Sequence, residues 1–257
     1  LANSVVLVCR KRDASQTSIT RGQFISQLQS ELPKAIFDLK QANIAPADLP
    51  QSSIGPGIAI FSRYKSILEN DDSPMTVKTA LQLINRELSE DQGDYDTETS
   101  FAINWFEQFG FSTSDFGTAN NIANAKGISV ESLVFAGIAQ SSAGKFSLLN
   151  RDSLDEDWNP LTDKKVTIWE CCQYLIKFVE LKGEFETAKL MKVIGFDKAD
   201  SAKQLCYTLY EIASNKLKDA SEASSYNGLI AIWSDLTAQA ENISENDLQD
   251  NNQLRML

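Results

Sequence analysis

The stretch Ile122-Ala123-Asn124-Ala125-Lys126-Gly127-Ile128-Ser129-Val130-Glu131-Ser132-Leu133 constrains the fold of this chain more tightly than any other. Its spacing is that of two helices meeting at a short turn. A small Ala123 lets the helices approach closely, Gly127 takes the left-handed turn conformation, and Ser129 caps the second helix. Val130, Leu133 and Val134 are expected to return to the core, which with Phe135 leaves this second helix largely buried. Upstream, Asp96 or Thr97 starts a helix with a wide aromatic face (Phe101, Trp105, Phe106, Phe109), ended by Gly110. Downstream, Ile138–Gln140 and Lys145–Leu149 flank Ser141-Ser142-Ala143-Gly144 as a β-hairpin. Three helices and a hairpin predict a winged-helix-like segment over residues 96–150.

The flanks read mostly as helix. Thr20-Arg21-Gly22-Gln23 is a capping box opening a helix with Phe24, Leu28, Leu32, Ile36 and Leu39, which Pro33 is expected to kink or split. Ile54-Gly55-Pro56-Gly57 is expected to break regular structure before Ile58–Phe61. Asp71-Asp72-Ser73-Pro74 reads as a turn, and Thr76 as the cap of a helix bearing Val77, Leu81, Ile84 and Leu88. The polar stretch Ser89–Thr97 is the expected domain boundary. After a polar link over 151–165, Thr167-Ile168-Trp169-Glu170 is a second capping box. Gly183 and Gly195 bracket a shorter helix, residues 200–217 and 221–240 give two more, and 241–257 reads as a frayed, disordered tail. The opening run Ser4 to Cys9 is different: continuous, apolar and β-branched, it suits a strand buried on both faces, yet nothing local pairs with it. The expectation is a mainly α chain with minor β. A terminal strand of an upstream, truncated α/β sheet (1–19) precedes a helical linker domain (20–95). The winged-helix-like domain (96–150) is followed by a small helical bundle (151–240) and the tail.

Several functions are excluded by what is missing. There is no histidine, which removes Ser-His-Asp and Cys-His catalysis and ordinary zinc sites. Cys9, Cys171, Cys172 and Cys206 form no C-x-x-C pair and read as reduced, buried thiols of a cytoplasmic protein. No stretch approaches the roughly 18 uninterrupted apolar residues of a membrane span. The net charge of -11 is uneven: residues 1–95 hold 10 basic and 11 acidic side chains, residues 96–257 hold 14 and 24. That acidic second part repels a phosphate backbone.

The strings Ala2-Asn3-Ser4-Val5-Val6-Leu7-Val8-Cys9-Arg10, Asn43-Ile44-Ala45-Pro46-Ala47-Asp48-Leu49 and Ile54-Gly55-Pro56-Gly57 occur with Phe61-Ser62-Arg63-Tyr64, Ser73 to Val77, Ala102 to Gly110 and Asp157-Trp158-Asn159-Pro160. In combination they resemble the C-terminal third of the large adenine-specific DNA methylases that carry an N-terminal domain of unknown function, many associated with anti-phage gene clusters. The resemblance implies that Val5–Cys9 is a late strand of the methyltransferase sheet and that S-adenosylmethionine belongs to the parent protein. It implies no catalytic, cofactor or metal residue here: the chain has no Gly-rich loop, and Leu161 follows Asn159-Pro160 where a second proline and an aromatic are needed. Its partners would be the upstream methyltransferase domain, with DNA or defence-system proteins beyond it, and no membrane.

The DNA-contact candidates are Arg10, Lys11, Arg12 and Arg21, the densest basic cluster, and Lys126, Ser129 and Lys145 around the helix-turn-helix. Against them, the helix from Val130 carries no arginine, lysine, asparagine or glutamine to read a base edge. Two functions stay open: a non-catalytic accessory region that positions DNA or supports a methyltransferase domain, and a protein-interaction scaffold in a defence complex.

Overall fold

A computed structural model describes residues 15–87, 95–244 and 247–248. The run Val5–Cys9, the cluster Arg10-Lys11-Arg12, most of the stretch Ser89–Thr97 and most of the tail lie outside them. The described residues are mainly helical with two small sheets. Among them, no helix is long and apolar enough to cross a membrane. The chain divides into two units, residues 1–42 with 48–90, and residues 43–47 with 91–257.

In the first unit, α1 (Arg21–Gln41) starts at the expected capping box: Thr20 accepts from the Gln23 amide, and the Gln23 side chain accepts from the Thr20 amide at 2.9 Å. Phe24, Leu28, Leu32 and Ile36 form its buried stripe, and the helix runs on through Pro33 without splitting. The expected break at Ile54–Gly57 does not occur. Leu49–Phe61 is one helix, α2, with Gly55, Pro56 and Gly57 inside it. The reason is tertiary. A Cβ on Gly57 would meet the Ile84 side chain at 2.5 Å, so glycine lets α2 seat against α3 (Val77–Glu87), and that packing overrides the weak helix propensity. The buried stripe of α3 is Ala80, Leu83 and Ile84, whereas Val77 is exposed. The turn before it forms as expected, with Ser73 donating to Asp71 and the Thr79 amide to Thr76. Two short parallel strands, β1 (Ile19–Thr20) and β2 (Ile67–Leu68), pair Ile19 with Ile67.

The second unit begins with α4 (Thr97–Phe109), capped by Asp96 and ended by Gly110 at φ 57°. Then come β3 (Ser114–Asp115), α5 (Phe116–Ala125), α6 (Val130–Phe135), β4 (Ala139–Ser142) and β5 (Lys145–Leu148). The antiparallel sheet runs β3-β5-β4, and β4 turns into β5 over Ala143 and Gly144, both at positive φ. From β5, Phe146 meets Trp105 edge-on at 4.6 Å and Phe101 at 5.6 Å, closing a core of aromatic rings.

Beyond the sheet, α7 (Ile168–Lys182) opens with the second capping box, and α8 (Glu184–Ile194) lies between Gly183 and Gly195. α9 (Phe196–Glu211) continues as a π-helical stretch over Ile212–Leu217. The single helix expected over 221–240 is two, α10 (Ala220–Ala231) and α11 (Trp233–Asn242), meeting at Ile232. α7 packs on α8, α9 and α10, and α8 packs on α11.

Candidate functional site

The turn between α5 and α6 forms as its residues dictate. Gly127 sits at φ 73°, and the Ile128 amide returns to the Ala123 carbonyl at 3.1 Å. Ser129 accepts from the Ser132 amide at 3.2 Å, and Ser132 donates back to the Ser129 carbonyl at 2.8 Å. Ala123, Val130 and Leu133 are buried. The expectation that α6 is largely buried does not hold, because Val134 is 41% and Phe135 71% exposed. Only six residues long, α6 buries the edge centred between Val130 and Leu133, and the 100° step per residue carries Glu131 and Phe135 to the opposite side, with Val134 at its margin. The sequence signal for this was Gly137, which at φ 70° ends the helix before a second turn can extend the buried edge.

Of the DNA-contact candidates, the structure describes Arg21, Lys126, Ser129 and Lys145. Arg10, Lys11 and Arg12 lie outside the described residues. Arg21, in the first unit, pairs with Glu69 at 2.8 Å. In the second unit Lys145 pairs with Asp115 at 2.6 Å across the β3–β5 register. The Ser129 hydroxyl is engaged as the α6 cap. Lys126 is half-buried at the C-cap of α5, where its amide donates to the Ala123 carbonyl, and its side chain makes no hydrogen bond or ion pair among the described residues.

The charges that the fold does gather are elsewhere, and residue spacing gave no sign of them. Arg151 donates to Glu222 through two nitrogens, at 2.8 and 2.5 Å, and to Gln173 at 2.8 Å, while lying over the Tyr226 ring. Glu170 is buried where α7 begins. Its carboxylate accepts the amide and hydroxyl of Thr167, each at 2.9 Å, and a Cβ on Gly137 would lie 3.2 Å from its other oxygen. Burial pushes its pKa up to about 7, with Asp163 and Asp96 adding repulsion and the Thr167 hydrogen bonds opposing the rise. Glu98, also buried, pairs with Lys165 at 2.5 Å.

Among the described residues no group of three His, Cys, Asp or Glu side chains is placed to hold a metal ion. The Cys172 and Cys206 sulfurs touch at 3.4 Å inside the core. Burial raises the Cys172 thiol well above its ordinary pKa and takes Cys171 up to about 12, which leaves both protonated and poor as nucleophiles. Asn159-Pro160-Leu161 is a turn: Asn159 accepts from the Leu161 amide at 2.9 Å. Trp158 beside it stacks on Tyr174 at 4.0 Å and donates to Asp163 at 2.7 Å, so this motif clamps a loop onto α7.

No curated protein and no solved structure matches the chain. A family model for a domain of unknown function, DUF8807, matches residues 96–255, more than half of the sequence, and the chain belongs to that family.

Proposed function

We propose that this chain is a non-catalytic accessory region that supports a larger, cytoplasmic protein through protein contacts. In this reading residues 96–150 are a winged-helix-like segment used for packing, and α7 to α11 are the small bundle behind it. The element order α4-β3-α5-α6-β4-β5 with sheet order β3-β5-β4 supports the winged-helix assignment.

The observation that carries the reading is the state of the cations. Lys145, at the hairpin where a wing would meet a phosphate, is neutralised by Asp115, and the Ser129 hydroxyl is engaged in its own helix. The helix that would enter a groove presents Glu131, Val134 and Phe135. Such a face repels phosphate and carries no donor for a base edge. The resemblance to the large adenine-specific methylases supports a methyltransferase domain as the partner. That domain would bind S-adenosylmethionine and meet DNA, and this chain would brace it. The exposed apolar pair on α6 equally suits a scaffold that joins such an enzyme to other proteins of a defence complex.

The test is fluorescence anisotropy of a labelled DNA duplex titrated with the full chain at about 50 mM salt, where phosphate contacts are strongest. No saturable binding is expected. Salt-dependent binding that drops about tenfold in Lys145→Ala, with the fold intact, would overturn the reading in favour of DNA recognition.

A further inference from the structure

The outward face of α6 is where the winged-helix-like segment leaves chemistry unused. Residues 96–150 hold five carboxylates: Asp96, Glu98, Glu107, Asp115 and Glu131. Asp96 accepts from the Thr99 and Ile168 amides, Glu98 pairs with Lys165, Glu107 with Lys216 and Asp115 with Lys145. Glu131 is exposed, and its carboxylate makes no hydrogen bond or ion pair among the described residues. Val134 and Phe135 stand three and four positions further along the helix, on the same side. They are two consecutive large apolar residues, 41% and 71% exposed. Phe185, also exposed, differs in that the Lys189 ammonium covers its ring at 4.8 Å. No cation covers Phe135 among the described residues.

We infer that this face is a docking surface for a protein partner that brings an apolar side chain against Phe135 and a lysine or arginine to Glu131. The inference rests on the accessory-region reading above and gives that region's partner a chemistry. A partner that covered Phe135 would strip water from Glu131, and a desolvated carboxylate is costly unless a cation or donor replaces the water. An acidic or phosphate-bearing partner would add repulsion to that cost. A second copy of this chain is opposed by the same physics. A two-fold contact through α6 would bring Glu131 towards its own equivalent, between chains that each carry a net charge of -11.

The experiment is selection of a random-peptide display library on the full chain, with Phe135→Asp and Glu131→Lys chains selected in parallel. Circular dichroism melts of all three establish that the fold is kept, as expected for positions this exposed. The wild-type chain should enrich peptides that place a bulky apolar residue within one turn of a lysine or arginine. Their affinity should fall by about tenfold or more on Phe135→Asp, the scale of a central anchor residue. Glu131→Lys should shift the enriched flanking residues from basic to acidic. A wild-type pool no richer than the Phe135→Asp pool would overturn the inference, as would enriched peptides indifferent to both substitutions. A homodimer in light scattering that dissociates on Phe135→Asp would also overturn it, by giving the face to a second copy. Failure here leaves the accessory-region reading standing, whereas Lys145-dependent duplex binding in the anisotropy experiment defeats that reading directly.

Discussion

Asp96, the N-cap of α4, also accepts from the Ile168 amide that opens α7, although 72 residues separate them. One carboxylate oxygen accepts from the Thr99 amide of α4 at 2.7 Å, and the other accepts from the Ile168 amide of α7 at 2.9 Å. The Thr99 hydroxyl completes the junction, donating to Asp96 and accepting from the Trp169 amide. A single side chain thus takes one first-turn amide from each helix, adding to the cap that Thr167 gives α7. Asp96→Ala should destabilise the second unit by about 1–3 kcal/mol, the cost of the α4 cap plus one further amide acceptor, while Asp96→Asn should lose clearly less. Urea denaturation of the two variants checks this. A loss of under about 1 kcal/mol for the alanine would mean that the two helix starts are independent.

Glu170 makes stability depend on pH with an unusual sign. Its folded pKa, about 7, lies above the ordinary carboxylate value of 4.5, mainly because the group is buried. The folded state therefore holds a proton that the unfolded chain releases. The neutral carboxyl's contribution is full below about pH 4.5 and is lost as pH rises through about 7, by roughly 3 kcal/mol at most. Glu170→Gln keeps an acceptor for Thr167 and removes the titration. Its melting temperature should exceed the wild type's above neutral pH, with the gap closing towards pH 5. A gap that widens on acidification would contradict the sign.

Two glycines should fail for different reasons. Gly57→Ala places a methyl group 2.5 Å from Ile84 and should cost about 1–3 kcal/mol through overpacking between α2 and α3. Gly127 has open space around its Cβ position but sits at φ 73°. Gly127→Val should cost about 1–2 kcal/mol through backbone strain alone. Trimming the neighbour, with Ile84→Val, should recover part of the first loss, and no change of neighbour should recover the second. Double-mutant denaturation separates the two cases.

Thiol labelling gives a direct reading of the core. Cys171, Cys172 and Cys206 are buried, and burial holds the Cys171 and Cys172 thiols protonated. An aromatic disulfide reagent at pH 8 should find these three silent in the folded chain and all four cysteines reactive in denaturant. Rapid native labelling at Cys172 would show that α7 and α9 open locally.

What was legible in the sequence was local. The capping boxes at Thr20 and Thr167 and the turn at Gly127 form as written because each is decided by side chains a few residues apart. The helix through Gly55-Pro56-Gly57 was hidden because its cause, Ile84, lies beyond the segment. Val134 and Phe135 were misplaced because apolar character alone does not say that a six-residue helix has only one buried edge. Asp96 was visible as a cap of α4, but its hold on Ile168 depends on how the helices meet. The same holds for Arg151 and Glu222, 71 residues apart.

The parallel pair β1–β2 sets where the first unit should open. It is two residues long on each side, held by the Ile19 amide to the Ser66 carbonyl at 3.1 Å and the Lys65 amide to the Thr17 carbonyl at 3.2 Å. So short a ladder has no stability of its own, and closing it means bringing together the two ends of a long intervening chain. In deuterium exchange, the Ile19 and Lys65 amides should therefore exchange through local fluctuations, well before those of Leu28 and Leu32 inside α1. The entrance to α1 is then a seam that breathes while the helix behind it stays closed.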